Sequence, residues 1–222
     1  DEFLGEYIAQ YAERLNWLTN FSGSAGRAII SRESAILFVD GRYTTQAKMQ
    51  SGKHFKIIEV PKIYPSNILK RYKQKLNIGF DPKIFTNPIL LRYFNNICNL
   101  LPLNRNLVDE IYLKKEKKTK KLFYSLNYKI TGETVNSKIN RVIKILKKSK
   151  IDNLFISAPE NIAWILNIRG RDNPNSPIPN SRIILTKNKK IYFFTNLENI
   201  KKIKKLFPYK KFSFFKYDKF YS

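Results

Sequence analysis

Residues 27–39 read Arg27-Ala28-Ile29-Ile30-Ser31-Arg32-Glu33-Ser34-Ala35-Ile36-Leu37-Phe38-Val39, and a second copy of the pattern stands 155 residues further on. In the first copy two β-rich runs flank the polar turn 31–34, which predicts a hairpin. In the second, Arg182-Ile183-Ile184-Leu185-Thr186 and Ile191-Tyr192-Phe193-Phe194 flank the turn Lys187-Asn188-Lys189. Upstream of each hairpin the same residues recur at a spacing of 147: Glu13, Trp17, Asn20 and Gly23 match Glu160, Trp164, Asn167 and Gly170. The change of spacing places an eight-residue insertion in the second copy, near 171–178. Both tryptophans fall in register. A helix, a loop and a hairpin that recur in one order imply a duplicated α/β domain.

The flanking sequence agrees. In the first half, helical signals at 13–19 and 44–50 alternate with strand signals, and the second helix ends at Ser51-Gly52. A strand at 55–60 is stopped by Pro61. Ser66 caps a helix expected to run to Leu76, and 78–80 is a short strand. Asn87-Pro88 opens a helix to about Asn99, with proline at its first position. Such alternation argues for a sheet layered with helices. Residues 114–128, rich in lysine, read as a linker. Thr131-Gly132-Glu133-Thr134 then opens a strong helix in which Val135, Ile139, Val142, Ile143 and Leu146 recur at helical spacing. A strand at 153–157, a helix at 160–166 behind Pro159, a last helix at 197–206 and a last strand at 212–215 complete the second half. The expected division is one domain at 1–113, a linker at 114–130 and a second domain at 131–222.

Composition sets the outer limits. The 222 residues suit two small domains as well as one, and 43% hydrophobic residues rule out disorder throughout. The single cysteine, Cys98, excludes a disulfide framework and a cysteine zinc site; the single histidine, His54, excludes any site needing two. No apolar run reaches the ~20 residues of a membrane-spanning helix, and no secretory signal opens the chain. A soluble protein of a reducing compartment, most simply the cytoplasm, is expected. The chain opens at Asp1 without an initiator methionine, so the native start is expected upstream. Net charge is +25, which invites a nucleic-acid reading. Yet 31 lysines stand against 11 arginines, and the basic runs are scattered. Arginine is the residue that reads phosphates and guanines in bidentate fashion. Solvated lysine faces, together with a composition rich in Lys, Ile and Asn, account for the charge, and no specific nucleic-acid partner is expected.

Few residues offer chemistry. His54 sits at a strand edge with no acidic or histidine partner spaced for a metal. Cys98 lies among leucines and isoleucines and reads as a small core residue. Ser22-Gly23-Ser24-Ala25-Gly26 lacks the lysine and the helix of a phosphate loop and reads as a tight turn. The 17 acidic residues are dispersed. Two places stand out. Asp40-Gly41-Arg42-Tyr43 follows a buried-type strand, and strand ends are where α/β sheets present ligand-binding groups. Arg42 suits a carboxylate or carbonyl there, while a salt bridge to Asp40 or a helix cap accounts for it equally well. The second place, 169–179, is a proline-stiffened loop with Arg169, Arg171 and Asp172; it suits a partner contact or an Arg–Asp pair in solvent.

With Glu6-Tyr7-Ile8, then Phe21-Ser22-Gly23-Ser24-Ala25-Gly26 and Asp40-Gly41-Arg42-Tyr43, the chain resembles the N-terminal region of the Xaa-Pro aminopeptidases, also called aminopeptidase P. Val108-Asp109 resembles the join to the middle domain of that family. Asn161-Ile162-Ala163-Trp164-Ile165-Leu166-Asn167-Ile168-Arg169-Gly170-Arg171-Asp172 resembles its middle-domain motif, in the three-domain branch. The resemblance implies an α/β chain of two tandem creatinase N-terminal-like domains, each a mixed sheet flanked by helices, with a first strand that precedes Asp1. It implies a parent enzyme that releases the N-terminal residue from peptides with proline second. Two divalent metal ions, manganese by resemblance, would sit in a C-terminal catalytic domain absent from these residues, so the chain itself would hold no metal, no cofactor and no catalytic residue. Arg42 matches the family arginine that contacts substrate, and these domains would shape substrate access and a homodimer. A free-standing peptide-binding module or pseudoenzyme is the alternative, and a basic nucleic-acid binder a more distant one.

Overall fold

The structure, a computed structural model, describes residues 3, 5, 7–112, 123–173, 175–196, 201, 204 and 212–220. They fall into two compact units. One is built from the described residues of Tyr11–Glu116, the other from those of Phe3–Gln10 and Lys117–Ser222.

The first unit runs α1 (Arg14–Thr19), β1 (Gly26–Ile30), β2 (Ala35–Asp40), α2 (Thr44–Ser51), β3 (Lys56–Val60), α3 (Pro65–Leu69), β4 (Asn77–Phe80), α4 (Asn87–Phe94), β5 (Asn99–Pro102) and α5 (Leu107–Ile111). The predicted hairpin is the antiparallel pair β1–β2, with Ala28 opposite Leu37. Strand β3 lies on the other edge of β2 and parallel to it, with Ile57 opposite Leu37. Parallel pairing needs a crossover, and α2 supplies it. Because side chains alternate along a strand, β2 serves two cores. Leu37 and Val39 pack with Phe21 and Ala47 of α2, whereas Ile36 and Phe38 pack with Ile58 and, from α3, Ile68. A parallel pair, β4–β5, packs against Leu90, Phe94 and Cys98. Arg14 donates from Nε and Nη2 to the two oxygens of Asp109 at 2.7 and 2.9 Å, tying α1 to α5.

The second unit runs β6 (Tyr124–Ser125), α6 (Tyr128–Thr131), α7 (Val135–Lys148), β7 (Asn153–Ile156), α8 (Pro159–Leu166), β8 (Ile168–Arg169), β9 (Arg182–Thr186), β10 (Ile191–Thr195) and β11 (Phe212–Lys216). Its main sheet has the order β11-β10-β9-β7, with only β10–β11 parallel. The duplication is thus visible as three-dimensional structure: β9, β10 and β11 repeat β1, β2 and β3 in order and direction. Helices α1 and α8 repeat too, and each ends on an asparagine in the left-handed conformation, Asn20 (φ 61°) and Asn167 (φ 51°). Asparagine tolerates that C-terminal conformation better than most side chains. Ile183, Leu185, Ile191 and Phe193 face α7 and α8 to form the core. Both units are therefore α/β, with mixed sheets flanked by helices.

Helix α7 begins as its sequence predicts, with Thr134 Oγ1 accepting from the Ser137 N–H. One residue of α7 escapes its apolar pattern. Lys138 is 2% exposed, and its ammonium donates to Trp164 O (2.8 Å) and Asn167 Oδ1 (2.7 Å) while lying 4.5 Å from the Trp164 ring centroid. A cation at the C-terminal end of α8 satisfies a free carbonyl and opposes the helix dipole.

Three expectations shift. Helix α3 starts at Pro65 and stops at Leu69 rather than running from Ser66 to Leu76, and the Tyr64 N–H donates to Asn67 Oδ1 at its start. Beyond Leu69, Lys70, Arg71, Lys73 and Lys75 would stack like charges at helical spacing. Helix α4 ends at Phe94, because Asn95 and Asn96 turn left-handed (φ 44° and 58°), and the chain then forms β5. Cys98 accordingly lies in the turn before β5, buried as expected. The segment read as a linker, 114–130, carries structure in its described residues. Phe123 is fully buried in the second core, Tyr124–Ser125 pairs with β8, and Asn127 caps α6. The final helix read at 197–206 lies almost wholly outside the described residues. No helix among the described residues is long and apolar enough to cross a membrane.

Lys138→Met is expected to cost about 1–3 kcal/mol, since Trp164 O and Asn167 Oδ1 then lose a buried donor. Burial pushes the Lys138 ammonium below its ordinary pKa. Between the folded and unfolded values the unfolded chain binds more protons, so this group's contribution to stability rises with pH. Urea unfolding at neutral pH and in alkaline buffer near the free-lysine range should show the gap between wild type and variant widening with pH.

Candidate functional site

Asp40 is the last residue of β2 and stands opposite Val60, the last of the parallel strand β3. The chain therefore leaves the sheet at the carboxyl ends of two parallel strands, beside the point where β1 runs the other way. This is the position at which open α/β sheets bind ligands. Gly41–Tyr43 makes one 3-10 turn and α2 follows. Asp40 Oδ1 accepts from the Arg42 N–H at 3.0 Å and from Arg42 Nε at 2.8 Å. The cap and the salt bridge that the sequence left open are thus both made, through one oxygen. The Arg42 side chain is 73% exposed, and its Cζ lies 5.4 Å from the Tyr43 ring centroid. The bond from the Arg42 side chain, then that from its N–H, holds the Asp40 carboxyl below the usual carboxylate range. The same bond raises the guanidinium. The pair stays charged at any ordinary pH, yet, exposed to water, it adds little to stability. The two Nη groups of Arg42 have no partner among the described residues.

The turn is braced by residues whose role no motif announces. Tyr43 Oη and Ser24 Oγ share a 2.9 Å hydrogen bond, and Phe21 meets Tyr43 edge-on with centroids 5.8 Å apart. Ser22 Oγ accepts from Gln46 and Gln50 of α2 at 3.0 and 2.9 Å, and the Ser22 N–H donates to Gln50 Oε1 at 3.1 Å. The loop 21–26 and the turn 40–43, separate motifs in the sequence, are therefore brought side by side. The loop serves α2 and is a structural turn, as its sequence predicts. Gly23 is required by packing: a Cβ there would lie 2.2 Å from Phe21 Cζ. A Cβ on Gly41 would meet Glu59 Oε1 at 2.9 Å, and Glu59 itself accepts from Lys62 at 3.0 Å.

The other places carry less. His54 is exposed. Burial pushes the Cys98 thiol above its ordinary pKa, which disfavours the nucleophilic thiolate. In the proline loop, Arg169 Nη1 donates to Ala163 O and Ile168 O at 3.2 and 2.8 Å, and Asp172 Oδ2 accepts from the Asn180 N–H at 2.9 Å. Arg169 and Asp172 both bond to the backbone of this region, and the Arg171 Cζ lies 5.3 Å from the Tyr124 ring centroid. Gly170 admits no side chain, since a Cβ would lie 2.6 Å from Pro179 Cα. Among the described residues no three His, Cys, Asp or Glu side chains gather into a set that could hold a metal ion.

Residues 4–110 match the creatinase/prolidase N-terminal domain, and residues 114–222 match a second model of the same description. The chain belongs to this creatinase/prolidase N-terminal family, with one copy in each half. Its similarity is to Xaa-Pro aminopeptidases. The Xaa-Pro aminopeptidase ApepP of Drosophila melanogaster is 31% identical over 203 residues, which are 87% of this chain and 33% of that protein. The Xaa-Pro aminopeptidase app-1 of Caenorhabditis elegans is 30% identical over 209 residues, 90% of this chain and 34% of that one. A crystal structure of X-prolyl aminopeptidase from C. elegans, described as a cytosolic enzyme with a di-nuclear active site, superposes with a TM-score of 0.90 at 27% identity, covering all of this chain and 37% of that one. This chain spans about a third of the length of these relatives and corresponds to their N-terminal region.

The packing around the turn predicts unequal costs for its glycines. Gly23→Ala must displace the buried Phe21 ring and is expected to cost about 1–3 kcal/mol. Gly41→Ala need only move the end of the flexible Glu59 side chain, and is expected to stay within about 0.5 kcal/mol of wild type. Chemical unfolding of the two variants checks the order.

Proposed function

We propose that this chain is the non-catalytic N-terminal portion of a metal-dependent Xaa-Pro aminopeptidase, with a first domain at 1–113 and a second that takes in Phe123 and the residues after it. The parent enzyme releases the N-terminal residue from peptides whose second residue is proline. It works in the cytoplasm as a homodimer, with two divalent metal ions, manganese, held by a further domain. The present domains narrow the approach to that centre, and Arg42 touches the peptide. The observation that supports this reading most is the likeness along the whole chain to a solved X-prolyl aminopeptidase.

The duplication supports the assignment of Arg42. In the second copy the position of Asp40 is taken by Thr195, which is fully buried and donates from Oγ1 to Asn180 O at 3.2 Å. Asn196 and Leu197 follow where Gly41 and Arg42 stand in the first. At the corresponding strand end the second copy has a buried threonine in place of an exposed aspartate. The Asp40–Arg42 pair is thus not a feature that both copies share, which favours recognition as its use.

In this reading the purified 222-residue chain neither takes up stoichiometric manganese nor turns over an Xaa-Pro peptide. The full-length protein does both, and loses turnover on chelation. Arg42→Ala in the full-length protein lowers kcat/KM about 10-fold or more, as expected for the loss of a charge-assisted hydrogen bond, with its melting temperature unchanged. Turnover by the 222-residue chain alone would refute the proposal; unchanged kinetics in R42A would remove the substrate role from Arg42.

A further inference from the structure

From the geometry of the strand-end turn we infer that Asp40 is a positioning residue, which holds the Arg42 guanidinium ready for the peptide. The inference rests on the substrate role proposed for Arg42. A solvent-exposed arginine samples many rotamers, and fixing it on binding carries an entropic cost. Asp40 removes much of that freedom beforehand. Its Oδ1 takes the Arg42 N–H, which sets the backbone of the turn, and Arg42 Nε, which sets the root of the fork. The bond goes to Nε rather than to either Nη. The far end of the fork, with both Nη groups, is left without a partner among the described residues, and that is the end that grips a carbonyl or carboxylate oxygen pair. The Tyr43 ring lies 5.4 Å from the guanidinium carbon, and Tyr43 is itself held by Ser24. Cation–π contact on that side and the carboxylate on Nε together restrict the plane of the fork.

Stability gives no competing reason for the pair. Both partners are substantially exposed, at 73% for Arg42 and 41% for Asp40, where such pairs contribute little. The repeat of the same sheet ends on buried Thr195 rather than on an aspartate. A carboxylate that only capped the turn would need the N–H bond alone; the bond to Nε serves the side chain.

The test is a double-mutant cycle in the full-length enzyme, read as KM and kcat on an Xaa-Pro peptide, with melting temperature as the folding control. Asp40→Ala is expected to raise KM about 3- to 10-fold with kcat nearly constant, and Asp40→Ala with Arg42→Ala to be no worse than Arg42→Ala alone, the non-additivity of groups that act as a unit. Asp40→Asn keeps an oxygen in place for both N–H donors. The neutral amide holds Arg42 more weakly than the carboxylate does, so the KM should fall between those of Asp40→Ala and wild type without a change in melting temperature. Independent, multiplying effects of the two alanine variants would overturn the inference. So would an Asp40→Ala enzyme with unchanged KM beside an Arg42→Ala enzyme with a raised one. Should Asp40→Ala lower the melting temperature, Asp40→Asn decides: a KM between those of wild type and R42A supports the inference, and a KM equal to wild type overturns it. An R42A enzyme indistinguishable from wild type is a different failure, since it removes the substrate reading itself.

Discussion

Strands β2 and β10 are each bound on both edges, antiparallel to one neighbour and parallel to the other, and much of the remaining structure follows from that requirement. A parallel neighbour must be reached by a crossover, so a helix has to follow β2. A strand with neighbours on both edges can bury both faces, and β2 does: Leu37 and Val39 enter one core, Ile36 and Phe38 another. Helix α2 brings Ala47 to the first and α3 brings Ile68 to the second. The crossover also decides where function can attach. It must begin at the carboxyl end of β2, alongside the end of β3, and its first residues are Gly41, Arg42 and Tyr43. Sheet pairing and the candidate site are consequences of one arrangement.

Much of this was legible in the sequence because the patterns behind it are local. Alternation and turn chemistry marked the hairpins, helical spacing marked α7, and the matched tryptophans and asparagines marked the duplication. What escaped depended on contacts distant in sequence or on local electrostatics. Strand β5 is four residues long and hides behind Asn95 and Asn96. Strand β6 is two residues long and exists because Ile168–Arg169 pairs with it. Helix α3 loses its second half to like charges. Lys138 reads as one more solvated lysine until the end of α8 is placed over it. At the site, Asp40 and Arg42 could be found from their place after a buried strand. Gln46, Gln50 and Ser24 could not, because their bonds span 19 to 28 residues and form only when α2 packs on the loop.

The large positive charge divides along the same line. Arg14, Lys138 and Arg169 are part-buried or buried, and each is bonded to a named oxygen of its own unit. They are structural cations, worth something because removing one strands a buried acceptor. Arg42 differs from all three. It is exposed, its acid partner is two residues away, and its outer donors are unused among the described residues. Charge alone would not separate it from the chain's 31 lysines.

Duplication supplies the comparison that a single domain cannot. Two copies of one sheet, built from the same strand order, end their central strands differently: one on a buried threonine that bonds the neighbouring loop, the other on an aspartate that orients an arginine in solvent. Packing explains the first ending, since Thr195 satisfies its own hydroxyl inside the unit. Packing does not explain the second, because neither Asp40 nor Arg42 fills space or rescues a buried group. The fold is common to both copies and the exposed, oriented guanidinium belongs to one. Function in such a chain is read from the site rather than from the architecture that carries it, and the difference between the copies is what singles out Arg42 as the candidate.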